Sequence, residues 1–423
     1  MEKGKVLFYG AGEHAAMIYR HAVRKCAAYG EPAAFIDRDV YKQGHDLFGL
    51  PVISWEDAQK RYGDDFFIYV TGNEKAAPEI LGFLQEQGIQ KERIINWEPV
   101  EKRLGCWANG SLWGIAPSAN KITYTCCCPS LSDFVFHNLA DRLEFSHDTA
   151  TAPDSVQKAI QIFLTRTELE DSGGLCTDCT DYKIKYYYKE RRFHKIHFGG
   201  VGYCNFRCRY CLYNYPEYYP KNTYEPYDIY PDILKQIEQT GYTDDDTIIS
   251  IATGEFSISE AGRRFISMAL EYNHPIMILT NAYIFSQEAA QALDHSGIIL
   301  CSVDAGTPES FQKVKGVDGF DRVSENLQKY AEHGPVSLKY ILLEGANDSL
   351  EDLEGFIQLA DKVAVRVSMT RDYFAKGIFP EQTLKFMARF VSHFRKQGKL
   401  NMDLSAVVRL GEAERLSQML EEL

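Results

Sequence analysis

The chain has 423 residues, 45% hydrophobic and 25% charged, which suits a soluble protein of two or three domains. A net charge of −13 argues against a nucleic-acid backbone as partner, because such binding needs clustered Lys and Arg. No apolar run approaches the roughly 20 residues of a membrane span, and no secretion signal opens the chain, so a cytoplasmic location is expected.

Residues 1–100 alternate strand and helix. A short apolar strand at 5–9 runs into Gly10-Ala11-Gly12, a helix spans Ala15 to Ala28, and AAFID is a strand ending at Asp37. A strand follows at 66–72 and a helix at about 76–87. The alternation predicts a Rossmann-like parallel sheet. Gly10 and Gly12 allow a tight turn whose amides can hold a phosphate, and Asp37 stands where a ribose-binding carboxylate can sit. A domain that only packs or oligomerises is the alternative.

Residues 101–190 show weak periodicity but hold the cysteines 126–128, 176 and 179. A segment of this kind can owe its order to a metal centre. Cys126 and Cys128 share one face of an extended strand because side chains alternate. They are expected to join Cys176 and Cys179, with Cys127 as the alternative. An iron–sulfur cluster, structural zinc and free thiols all stay open here. The basic run from Lys183 to Lys195 reads as a solvated face.

Residues 191–423 return to alternation. Strands are predicted at 195–201, 247–252, 275–280, 298–303, 336–343 and 363–368. Helices fall at about 227–240, 258–272, 286–295, 319–333 and 349–361. Six such units predict a partial (β/α)6 TIM-like barrel, with its chemistry at the C-terminal strand ends. The loop after the first of these strands reads GYCNFRCRYC, placing Cys204, Cys208 and Cys211 in C-x3-C-x2-C spacing. Iron–sulfur clusters usually take four thiolates, so three leave one iron open, as in catalytic metal sites. Zinc usually needs a fourth Cys or His in a second short pair.

CNFRCRYC resembles the signature of the radical S-adenosylmethionine (radical SAM) superfamily, with Tyr210 as its aromatic residue. The resemblance implies a [4Fe–4S] cluster whose open iron chelates S-adenosylmethionine, and reductive cleavage to a 5′-deoxyadenosyl radical that abstracts a substrate hydrogen. Gly254-Glu255 resembles the family's GGE motif, with Thr253 in place of the first glycine. Thr280, Asn281, Ser302, Asp304 and Met369 stand on the following strand ends, where the family contacts S-adenosylmethionine. The cysteines of 126–179 resemble the auxiliary-cluster segment called SPASM or twitch, although that segment usually follows the barrel. They imply a second cluster.

The N-terminal stretch GAGEHA…FIDRD…VTGN is similar to domains of bacterial sugar acyltransferases. That likeness implies a sugar or nucleotide-linked sugar as substrate. Maturation of a ribosomally made peptide is the second expectation, and a non-enzymatic iron–sulfur redox or sensor protein the third. An enzyme of this kind implies a reductant such as flavodoxin or ferredoxin, and an outcome of dehydrogenation, epimerisation or carbon–carbon bond formation.

Overall fold

The computed structural model describes residues 4–106, 112–118, 121–125, 142–146, 182–190, 192–200, 203–211, 226–372, 374–375, 377–402, 404 and 407–423. The first sheet is built from β1 (Gly4–Tyr9), β2 (Gly30–Ile36), β3 (Asp46–Leu47), β4 (Leu50–Ile53) and β5 (Phe66–Val70). Its order is β3-β4-β2-β1-β5, parallel except for the β3–β4 pair. Helix α1 (Glu13–Cys26) joins β1 to β2, α2 (Trp55–Tyr62) joins β4 to β5, and α3 (Ala77–Glu86) follows β5. Ser54 caps α2 by accepting from the Asp57 amide, a first-turn bond that replaces a missing helical one.

A ribbon of β6 (Val100–Cys106), which pairs antiparallel with β10 (Tyr182–Tyr188), packs against α3. The strands β7 (Leu112–Ser118), β8 (Lys121–Thr125) and β9 (Arg142–Ser146) belong instead to the second sheet. That sheet carries six parallel strands: β11 (Lys195–Gly200), β12 (Ile248–Thr253), β13 (Ile276–Leu279), β14 (Gly297–Ser302), β15 (Val336–Leu342) and β16 (Ala364–Arg371). β7 adds a parallel strand beside β11, and β8 and β9 continue antiparallel. The covering helices are α4 (Tyr230–Glu238), α5 (Glu260–Glu271), α6 (Gln287–Ser296), α7 (Pro308–Lys315), α8 (Phe320–His333), α9 (Leu350–Val363), α10 (Glu381–Lys396) and α11 (Leu410–Glu421). This is the expected α/β architecture with a partial TIM-like barrel.

Alternation along the parallel strands sorts residues onto two faces. Ile196, Phe198, Ile249, Ile251, Leu338 and Val367 are buried in the large core under the helices. Their neighbours face the concave side. There the first domain meets the barrel: Ala15, Ala16, Met17 and Ile18 of α1 share one core cluster with Ile248 and Ile298. Polar contacts fix the same seam. Arg20 and Arg24 donate to the Leu293 and His295 carbonyls at 2.8 and 2.9 Å, where the C-terminal end of α6 favours cations. His21 Nε2 and Tyr69 Oη each lie 2.9 Å from Asp246 Oδ1. Helix α1 therefore closes the N-terminal mouth of the barrel. Nothing in the amphipathic pattern of α1 announced that partner.

Candidate active site

The three cysteines follow β11 on the loop 203–211, at the C-terminal end of the parallel strands. Phe206 anchors this loop; it is buried and packs edge-on against Tyr283 and Phe311. Arg207 N and Arg209 N donate to the Lys315 and Val314 carbonyls, tying the loop to the end of α7. Gly316 follows with φ +74, and a Cβ there would meet the Arg207 carbonyl oxygen at 2.9 Å. Only glycine permits both that turn and that approach.

Cys204 and Cys208 are half-buried against the barrel core. Burial pushes the Cys204 thiol up to about 11, and the charges of Glu255, Cys208 and Cys211 add to the rise. Burial likewise raises Cys208, against the pull of Lys315. The thiols are thus held close enough to feel one another's charge. Among the described residues, only His21, Asp245 and Asp246 draw their ligand atoms within 4.8 Å of one another.

The adjoining strand ends interlock with this loop. Gly254 takes φ +49, and the Glu255 amide donates to the Tyr203 carbonyl at 2.8 Å. The buried Glu255 carboxylate accepts from Ser257 Oγ at 2.6 Å, Thr280 Oγ1 at 2.8 Å and the Asn281 amide at 2.6 Å. Burial raises its pKa and these donors oppose the rise. Asn281 Nδ2 points at Cys204 Sγ, 3.7 Å away, and donates to Asn205 Oδ1 at 2.8 Å. Glu255, Thr280 and Asn281 thus form one hydrogen-bonded brace beside the cysteine loop.

A second brace runs underneath. Tyr210 Oη donates to Asp304 Oδ2 at 2.6 Å. Lys315 Nζ donates to the same oxygen at 2.5 Å, to Tyr210 Oη at 2.6 Å, and to the Ser302 carbonyl. Asp304 Oδ1 accepts the Ile341 amide at 2.6 Å. Burial alone would lower the Lys315 pKa; the Asp304 charge outweighs it and holds the ammonium above its ordinary value.

Two expectations for cofactor contact change on this geometry. Asp304 is fully buried with both oxygens engaged, so it positions the loop from below. Met369 is 1% exposed in the core under the helices, because its place in the alternation puts it on the face away from the barrel interior. Ser302, the last residue of β14, stays on the concave side. Lys315, Ser257 and Asn205 were not singled out from sequence; a lysine before Gly316 was the one available signal for the buried pair.

At the N-terminal glycine turn the central peptide is bonded within the fold. The Ala11 amide donates to Asp37 Oδ2 at 2.7 Å, and Asp37 Oδ1 accepts the Asp39 amide at 2.9 Å. The Ala11 carbonyl accepts from Arg366 of β16. Gly10 and Gly12 therefore shape a turn whose central amide and carbonyl are spent on the fold, and Asp37 is its internal anchor. Cys126, Cys127, Cys128, Cys176 and Cys179 lie outside the described residues.

Residues 200–360 match the Radical SAM superfamily. The chain carries a radical SAM domain. Its family uses a [4Fe–4S] cluster and S-adenosylmethionine, and the three-thiol loop fits that group. Over 178 residues, 40% of the chain, it is 29% identical to the GTP 3′,8-cyclase of Shewanella denitrificans, covering 49% of that protein. It is 30% identical over 152 residues to the GTP 3′,8-cyclase of a Sulfurovum species, covering 34% of this chain and 45% of that one. The radical SAM match thus spans about half the length of these curated relatives. Among solved structures, SuiB of Streptococcus suis bound to S-adenosylmethionine is 14% identical, with 68% of this chain and 71% of that chain covered and a TM-score of 0.38. No described helix is long and apolar enough to cross a membrane.

Proposed function

We propose that the chain is a radical SAM enzyme acting on a small molecule held in the concave face of the barrel. Three thiols on the first strand-end loop, braced through Asn281, carry this reading. Cys204, Cys208 and Cys211 would hold the cluster. With cluster and S-adenosylmethionine in place, such a domain supplies an electron that splits the sulfonium into methionine and a 5′-deoxyadenosyl radical. The protein's own share is positional. Glu255 and Thr280 fix Asn281 beside the loop, the Tyr210–Asp304–Lys315 group sets its height, and α1 closes the opposite mouth against water.

The sugar expectation rested on the likeness of the N-terminal stretch to sugar acyltransferase domains, and the comparisons give it no support. A nucleotide is the first class to assay, because the curated relatives aligned over this barrel are named for GTP. A low-potential flavodoxin or ferredoxin would serve as reductant. We further propose that Cys126, Cys128, Cys176 and Cys179 bind a second cluster.

Anaerobic reconstitution tests the reading. Reduced wild-type protein should form 5′-deoxyadenosine from S-adenosylmethionine, and Cys208→Ala should form none. Wild-type protein that loads iron yet yields no 5′-deoxyadenosine would instead support an electron-transfer or sensing role. Two cubanes correspond to about eight irons per chain and one to about four; four would remove the auxiliary cluster.

A further inference from the structure

The charges on the concave face nearly all have partners. Lys195 Nζ lies 3.8 Å from Glu74. Arg366 donates to the Ala11 and Val365 carbonyls. Glu13, at the start of α1, accepts from Ser337 Oγ. Lys339 is different. It sits in the middle of β15, on the face that carries Ser337 and away from buried Leu338 and Tyr340. Among the described residues, no hydrogen bond or ion pair engages its Nζ.

The side chain is partly buried, and desolvation lowers its pKa. The nearest carboxylates that act on it, Asp304 and Glu13, are held by Ile341, Tyr210 and Lys315 on one side and by Ser337 on the other. An ammonium removed from water without a partner is destabilising. Its strand neighbours in register are Ser302 and Ser368, about 4.8 Å away across each strand pair. Two hydroxyls therefore flank the cation. This combination is a receptor for an oxyanion: one charge to neutralise, and donors on both sides.

We infer that Lys339 is the anchor for a carboxylate or phosphate group of the substrate, gripped between Ser302 and Ser368 above the floor made by α1. The inference rests on the radical SAM reading, which makes the concave face the reaction chamber.

The test uses full-length, anaerobically reconstituted protein and two probe anions, inorganic pyrophosphate and succinate, titrated calorimetrically. At least one should bind the wild type. Lys339→Met should weaken that binding at least tenfold, and Lys339→Arg should recover part of it. Iron content and affinity for S-adenosylmethionine, read on the same samples, should match the wild type. Preference for pyrophosphate assigns a phosphorylated substrate, and preference for succinate a carboxylated one. Equal binding by wild type and Lys339→Met, or no binding to either, overturns the inference. So does loss of S-adenosylmethionine affinity in Lys339→Met at normal iron content, which would give the lysine to the cofactor's own carboxylate and leave the radical SAM reading standing. Failure of the wild type to make 5′-deoxyadenosine removes that reading and the inference with it.

Discussion

Lys315 Nζ lies 2.5 Å from Asp304 Oδ2, with side chains 2% and 0% exposed. The pair sits directly below the cysteine loop and shares Tyr210 with it. Removing one member of a buried ion pair strands the other charge, at about 3–5 kcal/mol. Lys315→Met should therefore lower the urea midpoint strongly and reduce iron loading, because the loop loses its support. The double variant Lys315→Met/Asp304→Asn removes both charges and should regain a large part of the stability. Chemical denaturation with iron analysis of both variants checks this.

Glu255 holds four donors from three residues. In Glu255→Gln an amide nitrogen replaces one carboxylate oxygen, so one bond meets donor with donor. The expected cost is about 1–3 kcal/mol. Its mark on function should exceed that on stability, because Asn281 would leave Cys204. The variant should load iron like the wild type and form 5′-deoxyadenosine at least tenfold more slowly. Matched rates would show that the brace is purely structural.

Asp246 links the N-terminal domain to the barrel through His21, Tyr69 and Lys25. Burial alone would raise its pKa; His21 and Lys25 overwhelm that and hold it well below the ordinary range. A depressed folded pKa contributes stability above the unfolded value near 3.9, and that contribution drains as pH falls through it. Asp246→Asn should thus cost about 2 kcal/mol at neutral pH. The gap from wild type should shrink below about pH 4. Thermal unfolding of both proteins across that range measures it.

The strand–helix periods were readable because each parallel strand is a short apolar run bounded by turns. All six expected barrel strands overlap β11 to β16. Cysteine spacing singled out the loop at 203–211, since three thiols on one turn have few other uses. What sequence could not display was partnership across distance. The Lys315–Asp304 pair spans 11 residues; Asp304 read as a cofactor contact and Lys315 drew no reading, and only the fold shows the two sealed together. Helix α1 read only as a helix of the first domain, while its polar N-terminus and alanine-rich side are buried against a second sheet more than 200 residues away. Met369 shows the reverse error: the motif order placed it on the right strand, and strand alternation then decided its face. Helices α2, α7, α10 and α11 were not anticipated.

The last prediction concerns the glycine turn. Its amide and carbonyl groups at Ala11 are bonded to Asp37 and Arg366, and Ala11 is fully buried. A nucleotide phosphate taking the Ala11 amide would have to displace the Asp37 carboxylate. NAD and UDP-sugars at millimolar concentration should therefore leave Tm unchanged, whereas a ligand at one hundred times its Kd would add about 2.7 kcal/mol. Asp37→Ala should lower Tm, since the Ala11 and Asp39 amides lose their acceptor at about 1–3 kcal/mol. It should also loosen the domain seam, visible as faster amide exchange in α1. A rise of several degrees with a nucleotide, lost in Asp37→Ala, would instead mean that the turn opens to bind and that α1 is a movable floor.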